Sequence, residues 1–350
     1  MSRSILVTGG AGYVGAMLVP KLLGRGDRVT VLDTYYFGDP LGTLRGAKGL
    51  REVNGDLRDR DVVRRALDGC DTVIHLACVS NDPSFELDPE LSKTINYDAF
   101  EPLVEESKRA GVRRFVFISS SSVYGVSEAA RVTEEHPLLP LTDYSKYKAL
   151  CEPIILAAQS PDFTAVVLRP ATVCGFSTRM RFDLSVNILT SHAVNRRKIT
   201  VFGGTQTRPN IHIEDVTDLY VSVLDEPDAK IAGEIFNVGY QNHTLARLAE
   251  IVKSVVEREL PDLAPIAIET TPTNDNRSYR VESDKIARIL GFTPRRTIED
   301  AVRDICVAFR TNRFPYPIDD PRYYNVQVMK EPSAKTNGSS LALSGSSPFS

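Results

Sequence analysis

Several kinds of residue are scarce in this 350-residue chain, which has no tryptophan, five cysteines and five histidines. The cysteines are scattered and odd in number, and none forms a Cys-x-x-Cys pair, so we expect free thiols. The histidines show neither His-x-x-x-His spacing nor clustering with carboxylates, so the usual sequence signs of a metal site are missing. We therefore assign no metal.

Long apolar runs and a strong net charge are also missing. No apolar stretch approaches the roughly 18 residues that a membrane-spanning helix needs, and the first ten residues run directly into a predicted strand, without room for a signal peptide. A net charge of −3 gives no general attraction for nucleic acid or for an anionic membrane surface. The sequence therefore predicts neither of these as a partner, and we expect a cytoplasmic protein.

The amino-terminal stretch predicts a strand, a tight glycine turn and a helix. Residues 4–8 are apolar and rich in β-branched side chains, and residues 9–15 read Gly-Gly-Ala-Gly-Tyr-Val-Gly. Such a turn lets backbone amides and a helix N-terminus approach a pyrophosphate. A second predicted strand ends at Asp33, 18 residues beyond Gly15, near the usual distance for the carboxylate that binds an adenosine ribose. Because that charge would repel the 2′-phosphate of NADP, the sequence predicts NAD.

Tyr144 and Lys148 form a second candidate constellation. Four residues separate them, so on a helix both side chains lie on the same face. A cation within about 4–6 Å of a phenol favours the phenolate and lowers its pKa. We therefore predict that Lys148 makes Tyr144 a usable base.

Strands and helices alternate five times before residue 120, which indicates an α/β fold with a Rossmann-like, doubly wound parallel sheet. The fourth strand, residues 72–77, is almost wholly apolar, and we interpret His75 within it as a packed residue. The fifth strand ends in four serines, residues 119–122, which suit a polar pocket. Between these strands we predict a loop over residues 80–89 and a helix over residues 91–110.

The second half of the chain is less regular, which predicts a smaller, sequence-interleaved substrate-binding lobe. We assign residues 1–170 to the dinucleotide-binding domain, with returning segments near residues 205–240, and residues 171–325 mainly to the second lobe. Residues 235–239 are expected to rejoin the main sheet. Residues 314–329 are interpreted as an irregular extension, and residues 330–350, rich in Ser, Gly, Lys and Pro, as a disordered tail.

Taken together, these segments resemble the extended short-chain dehydrogenase/reductase family, and within it the NAD-dependent nucleotide-sugar epimerases and dehydratases. The resemblance covers about residues 4–310 in the family's order. It is carried by residues 8–15, Asp33, Asp56-Leu57, His75-Leu76-Ala77, residues 119–125, Tyr144-x-x-x-Lys148, Leu168-Arg169-Pro170 and residues 208–215.

The resemblance implies an NAD-dependent enzyme that acts on a nucleotide-diphosphate sugar. It implies Tyr144 as the catalytic acid and base, Lys148 as its pKa tuner and as a ligand of the nicotinamide ribose, and Ser120 as the hydroxyl partner of the sugar oxygen. The implied cofactor-binding residues are Gly9, Gly12, Tyr13, Val14, Gly15, Asp33, Asp56, Leu57, Ala77, Tyr144 and Lys148. The implied substrate-binding residues are Ser121, Ser122, Asn187, Arg208 and Arg277, with the two arginines on the diphosphate.

The absence of certain residues reduces the number of reactions that the resemblance allows. Similar 4,6-dehydratases carry Asp-Glu at the positions of Ser121 and Ser122, and decarboxylating relatives carry Glu at the position of Ser122. Relatives that epimerise at C3 and C5 carry Cys there and a His near Ser177. We therefore expect C4 epimerisation through a transient 4-keto intermediate. The sugar is not identified, since Thr172 stands where many 4-epimerases have Asn.

Two alternatives stay open. One is an NAD(P)-dependent reductase or dehydrogenase that acts at one carbon of a 4-keto sugar or heptose. The other, from a different class, is a non-catalytic NAD-sensing binding protein, whose expected marker is loss of Tyr144 or Lys148; both are present. By analogy with the family we expect a homodimer formed through helices near residues 91–110 and 144–158.

Overall fold

The computed structural model describes residues 2–80, 82–273, 278–314, 316 and 318–330. The strands in these ranges are β1 Ser4–Thr8, β2 Arg28–Asp33, β3 Leu50–Asn54, β4 Thr72–His75, β5 Arg114–Ile118, β6 Thr164–Pro170, β7 Thr172–Cys174, β8 Lys198–Phe202, β9 Thr207–His212, β10 Glu234–Val238, β11 Gln241–Thr244 and β12 Ala267–Thr271. The helices are α1 Gly15–Gly24, α2 Arg60–Leu67, α3 Asp82–Phe85, α4 Pro89–Lys93, α5 Phe100–Arg109, α6 Asp143–Ala157, α7 Ser185–Arg196, α8 Ile213–Ser222, α9 Asp228–Ile231, α10 Leu245–Glu259, α11 Asp284–Leu290, α12 Ile298–Arg310 and α13 Asn325–Lys330.

The main sheet has seven parallel strands in the order β10-β6-β5-β4-β1-β2-β3. Side chains alternate between its faces, so Ile5 and Val7 of β1 pack with α1, α8 and α11, whereas Leu6 packs with α2, α5 and α6. Because helices cover both faces, β4 is buried throughout, and His75 is 2% exposed within it. The predicted Rossmann-like, doubly wound fold is confirmed.

A second lobe is built mainly from the later part of the chain. Strands β7, β9 and β11 form a three-stranded sheet, and β8 pairs with β12. Helices α7, α10 and α12 pack together over a separate apolar core that includes Val186, Leu248, Val252 and Val302. Between these segments β10 leaves the lobe and pairs in parallel with β6 at the edge of the main sheet. The division of the chain at residue 170 stays a prediction.

The structure corrects the prediction of one helix over residues 91–110. Helices α4 and α5 are separated by a π-helical turn, Thr94–Asp98. Pro102 lacks an N–H, so the helical bond back to residue 98 cannot form. Within the turn, the Asn96 side chain accepts from the backbone N–H of Val79 at 2.8 Å and donates to its carbonyl oxygen at 3.0 Å. The predicted loop over residues 80–89 also contains α3.

The carboxyl-terminal extension is more regular than predicted. A 3-10 turn, Pro321–Tyr323, leads into α13. An aromatic cluster that includes Phe182, Phe309, Phe314 and Tyr323 packs this segment against the second lobe. Beyond Lys330, the predicted disordered tail lies outside the described residues. In the part of the chain that the structure describes, no helix has the length and apolar character needed to cross a membrane.

A buried ion pair joins helix α6 to strand β6. The Arg169 guanidinium donates to both carboxylate oxygens of Glu152, at 3.0 Å and 2.6 Å, and both residues are 2% exposed. The remaining groups are satisfied: Arg169 also donates to the Tyr124 hydroxyl at 2.7 Å, and Glu152 accepts from the Ser119 hydroxyl at 2.6 Å. This pair fixes the distance between α6 and the strand ends that it faces.

We predict that Glu152→Gln lowers the free energy of unfolding by about 3–5 kcal/mol, because a buried guanidinium is left without a compensating charge. Urea unfolding followed by circular dichroism measures the loss. The matched control is Glu250→Gln: Arg247 and Glu250 form an ion pair at 2.9 Å with both side chains more than half exposed, and its removal should cost about 0–1 kcal/mol. Equal losses in the two variants would contradict the assignment.

Candidate active site

A cavity of about 1390 Å³ opens at the carboxyl-terminal edge of the main sheet. The glycine turn after β1, the segments after β2, β4 and β5, and helix α6 line one side of it. The loop between β7 and α7, strand β8 and helix α13 line the other side. Ligands of doubly wound sheets bind at this edge, since the loops there diverge and leave a crevice.

The glycine turn fits the backbone of a dinucleotide. Gly9 has φ of +74°, and a Cβ at this position would lie 2.6 Å from the backbone nitrogen of Ala77, so no larger residue fits. At Gly12 a Cβ would meet only the Gly9 carbonyl oxygen, at 3.1 Å, and Gly12 borders the cavity. A pyrophosphate can therefore approach the backbone closely at Gly12. Val14 and Gly15 continue this edge of the cavity at the start of α1.

Asp33 is held in place at the end of β2. Its carboxylate accepts from the backbone N–H of Ala11 and from that of Tyr35, each at 2.9 Å. Burial raises the pKa of Asp33, while these backbone hydrogen bonds and the charge of Arg179 act in the opposite direction. The carboxylate borders the cavity where an adenosine ribose would lie. Asp56, Leu57 and Ala77, predicted to surround the same nucleotide, also line the cavity.

Helix α6 carries Tyr144 and Lys148 to the cavity, and its first turn is capped by the Thr142 hydroxyl. Ser120 lies close enough to Tyr144 for its hydroxyl to lower the pKa of the phenol. Lys148 is 4% exposed, and its ammonium group donates to the carbonyl oxygen of Ile118 at 2.8 Å. All three predicted catalytic residues are therefore brought to one side of the cavity.

In the protein alone, burial and neighbours other than Lys148 have the largest effects on the pKa of Tyr144. Burial raises the pKa of the Tyr144 phenol well above 10, and nearby Cys78 and Asp82 raise it further, whereas the Ser120 hydrogen bond and the charge of Arg181 lower it. The ammonium group of Lys148, bonded to the end of β5, also lies over the Phe117 ring, 5.1 Å from its centroid.

The four serines after β5 differ in their hydrogen-bond partners. Ser119 donates inward to Glu152, and Ser121 lies 3.3 Å from the Tyr279 hydroxyl. Ser122 donates to Ser120, from its backbone N–H at 3.1 Å and from its hydroxyl at 2.9 Å. Ser120, Ser121 and Ser122 border the cavity, so the predicted polar pocket is present without a carboxylate at these positions.

The structure does not place Asn187 where a substrate would reach it. The residue is fully buried, accepts from the Gly175 backbone at 3.0 Å, and donates to the Tyr13 hydroxyl at 3.1 Å and to the Arg181 carbonyl oxygen at 3.0 Å. Its amide joins the glycine turn to the second lobe, because the Tyr13 hydroxyl also donates to the Gly175 carbonyl oxygen at 2.7 Å.

Of the two arginines predicted to bind the diphosphate, the structure describes the position of one. Arg208, half-buried on β9, borders the cavity on the side of the second lobe. Arg277 lies outside the described residues.

Sequence reasoning missed a charged group that the second lobe adds to the cavity. Arg179, Arg181 and Asp183 all line it, from the loop between β7 and α7. Arg181 pairs with Asp183 at 2.9 Å and donates to the Ser80 hydroxyl at 2.8 Å. The signal was two arginines two residues apart before an apolar helix, which by spacing alone is typical of a solvated loop. Among the residues described, no group of three or more potential ligands is placed to hold a metal ion.

A glycine turn, a carboxylate at the end of β2 and a Tyr-x-x-x-Lys helix around one cavity define a dinucleotide-dependent enzyme of the short-chain dehydrogenase/reductase class. Residues 5–239 match the family model described as the NAD dependent epimerase/dehydratase family. The chain therefore belongs to this family of extended short-chain dehydrogenases/reductases, whose cofactor is NAD.

The relatives include both types of enzyme in the family's name. The chain is 28% identical over 319 residues to a UDP-glucose 4-epimerase of Lactobacillus helveticus, covering 85% of this chain and 94% of the relative. It is 30% identical over 312 residues to a dTDP-glucose 4,6-dehydratase of Streptomyces griseus, covering 86% and 92%. Among solved structures, MoeE5 in complex with UDP-glucuronic acid and NAD has a TM-score of 0.76 and 26% identity, covering 88% of this chain and 99% of that one.

We predict that Asp33→Asn weakens NAD binding about tenfold and strengthens NADP binding, since the neutral amide forms a weaker bond with the ribose 2′-hydroxyl and no longer repels a 2′-phosphate. Isothermal titration calorimetry with each dinucleotide measures both changes. Asp59→Asn is the control, because Asp59 caps α2 outside the cavity. An unchanged ratio of NAD to NADP affinity in Asp33→Asn would show that Asp33 does not select the cofactor.

Proposed function

We propose that the protein is an NAD-dependent nucleotide-sugar epimerase that inverts C4 through a transient 4-keto intermediate. The observation that carries this proposal is the set of side chains that border the cavity after β5 and on α6. Tyr144 and the neighbouring Ser120, which lowers the pKa of the phenol, border the cavity, and the following positions, Ser121 and Ser122, are also hydroxyls. This set supports proton transfer at one hydroxyl group of a sugar and provides no acid or base for elimination at those two positions.

Each of the catalytic residues has a separate role in the proposed reaction. When bound, NAD supplies the site that accepts a hydride from C4 and returns it. Tyr144 takes the proton of the sugar 4-hydroxyl and gives it back, and Ser120 holds the same oxygen by a hydrogen bond. Lys148, fixed by the Ile118 carbonyl oxygen, keeps a positive charge at this edge that favours loss of the proton. Inversion further requires the 4-keto sugar to present its other face.

Dehydration is less well supported, although dehydratases are among the relatives. Elimination of water needs an acid and a base in addition to Tyr144, and the sequence has serine at the two positions where such groups stand in similar dehydratases. Besides Asp33 and Asp56 at the nucleotide end, two carboxylates border the cavity. Asp183 is paired with Arg181, and Asp82 accepts from the Thr142 hydroxyl at 2.5 Å.

The reductase or dehydrogenase and the NAD-sensing protein stay as alternatives within this proposal. A reductase would exchange its dinucleotide in every turnover, whereas an epimerase keeps it. We also propose a homodimer and a cytoplasmic location. The homodimer rests on analogy with the family.

We predict that the purified protein interconverts the C4 epimers of a nucleotide sugar without added cofactor, and that Tyr144→Phe lowers kcat by about 10²- to 10⁴-fold, the usual contribution of a general acid and base. Product formation from UDP-, GDP-, CDP- and dTDP-sugars is followed by chromatography. Tyr147→Phe is the matched control, since Tyr147 lies on the same helix and packs against Phe85 and Tyr97.

Each alternative gives a different result in this assay. Turnover that requires stoichiometric NADPH would replace the epimerase with a reductase, and a 4-keto-6-deoxy product would replace it with a dehydratase. Bound NAD without turnover of any sugar in the panel would favour the binding protein. Equal kcat in wild type and Tyr144→Phe would remove Tyr144 from the mechanism.

A further inference from the structure

Arg179 is a buried cation that the mechanism above does not use. It lies in the loop between β7 and α7, is 5% exposed and borders the cavity. Its guanidinium stacks on the ring of Phe37, 4.3 Å from the centroid, in the segment that follows β2. A residue of the second lobe is thereby brought to the dinucleotide half of the cavity.

The hydrogen bonds of this guanidinium are incomplete. One terminal nitrogen donates to the side-chain oxygen of Asn325 at 2.5 Å, while Nε is buried and has no hydrogen-bond partner among the described residues. The neighbouring carboxylate of Asp183 is engaged by Arg181 instead. Burial of a charged donor without a partner is costly, so the arrangement points to a group that is supplied by a ligand.

The charges around Arg179 identify the kind of ligand. Burial and the adjacent charge of Arg181 lower the pKa of Arg179 to about 9, and Asp183, Asp33 and Tyr13 only partly oppose this. Both carboxylates are already engaged, since Asp183 pairs with Arg181 and Asp33 accepts two backbone hydrogen bonds. An anion placed here would give the unpartnered Nε of Arg179 an acceptor, and a guanidinium binds phosphate oxygens with geometric preference.

The position of Arg179 indicates which phosphate group of a ligand its guanidinium would bind. Asp33, which marks the adenosine ribose, and Tyr13, in the glycine turn that receives the pyrophosphate, both lie close enough to Arg179 to influence its pKa, and all three border the cavity. The diphosphate of NAD lies between these two landmarks in any dinucleotide that uses both. We propose that Arg179 binds the pyrophosphate of NAD, so that the second lobe contributes directly to holding the cofactor.

Asn325 acts as a positioning residue in this arrangement. While its side-chain oxygen accepts from Arg179, its amide nitrogen donates to the Ser80 hydroxyl at 3.2 Å, and its backbone N–H donates to Asp183 at 3.2 Å. Helix α13 thus ties the guanidinium to the segment after β4. The cation is held in one orientation before the cofactor arrives, which reduces the entropy lost on binding.

The test compares ligands that carry different phosphates. Calorimetry on nucleotide-free protein should show that Arg179→Met weakens binding of NAD and of ADP-ribose about 10- to 100-fold, leaves adenosine binding unchanged, and leaves UDP binding unchanged. Arg179→Lys should recover part of the ADP-ribose affinity because it restores the charge without the planar fork. Arg313→Met is the matched control, since Arg313 stacks on Phe176 at the same 4.3 Å but lies outside the cavity.

Other results would overturn the assignment. A loss confined to NADP would place Arg179 at a ribose 2′-phosphate, and a loss confined to UDP would place it at the diphosphate of the substrate. Equal weakening of adenosine and ADP-ribose, with no recovery in Arg179→Lys, would mean that the residue only supports the fold. If a variant is unstable, the rise in Tm produced by ADP-ribose relative to that produced by adenosine gives the same comparison. None of these readouts depends on the reaction catalysed.

Discussion

The attachment of helix α6 to the carboxyl ends of β5 and β6 is the constraint on which the candidate active site depends. Lys148 donates to the Ile118 carbonyl oxygen, and one turn further along, Glu152 binds the Arg169 guanidinium. Both contacts are buried, so their charges are weakly screened and their geometry is closely fixed. Tyr144, one turn before Lys148, is consequently held at the edge of the sheet beside Ser120.

The same region shows how a helix can serve structure and chemistry together. Lys148 serves the fold, because its ammonium group donates a hydrogen bond to the Ile118 carbonyl oxygen at the end of β5, and it also borders the cavity beside the catalytic residues. Tyr144, by contrast, is buried in a way that favours its neutral form. Arg181 opposes this effect, since its charge lowers the pKa of Tyr144.

The second lobe contributes charged side chains to the lining of the cavity. Arg179, Arg181 and Asp183 come from one loop, and α13 at the end of the described chain locks that loop through Asn325. Two arginines and one carboxylate leave this side of the cavity positive, as suits a site for ligands rich in phosphate. A chain with little net charge thus binds anions through local arrangement.

Local patterns in the sequence determined the strands, the glycine turn, Asp33 and the Tyr-x-x-x-Lys spacing, because each depends on residues within one or two turns of the chain. Only the tertiary structure decided which side chains share the cavity. Asn187 turned inward to join Tyr13 and Gly175, and the π-helical turn at residues 94–98 brings Asn96 into contact with Val79. The place of Arg179 beside Phe37 and Asn325 joins segments more than a hundred residues apart, and no local spacing records such a contact.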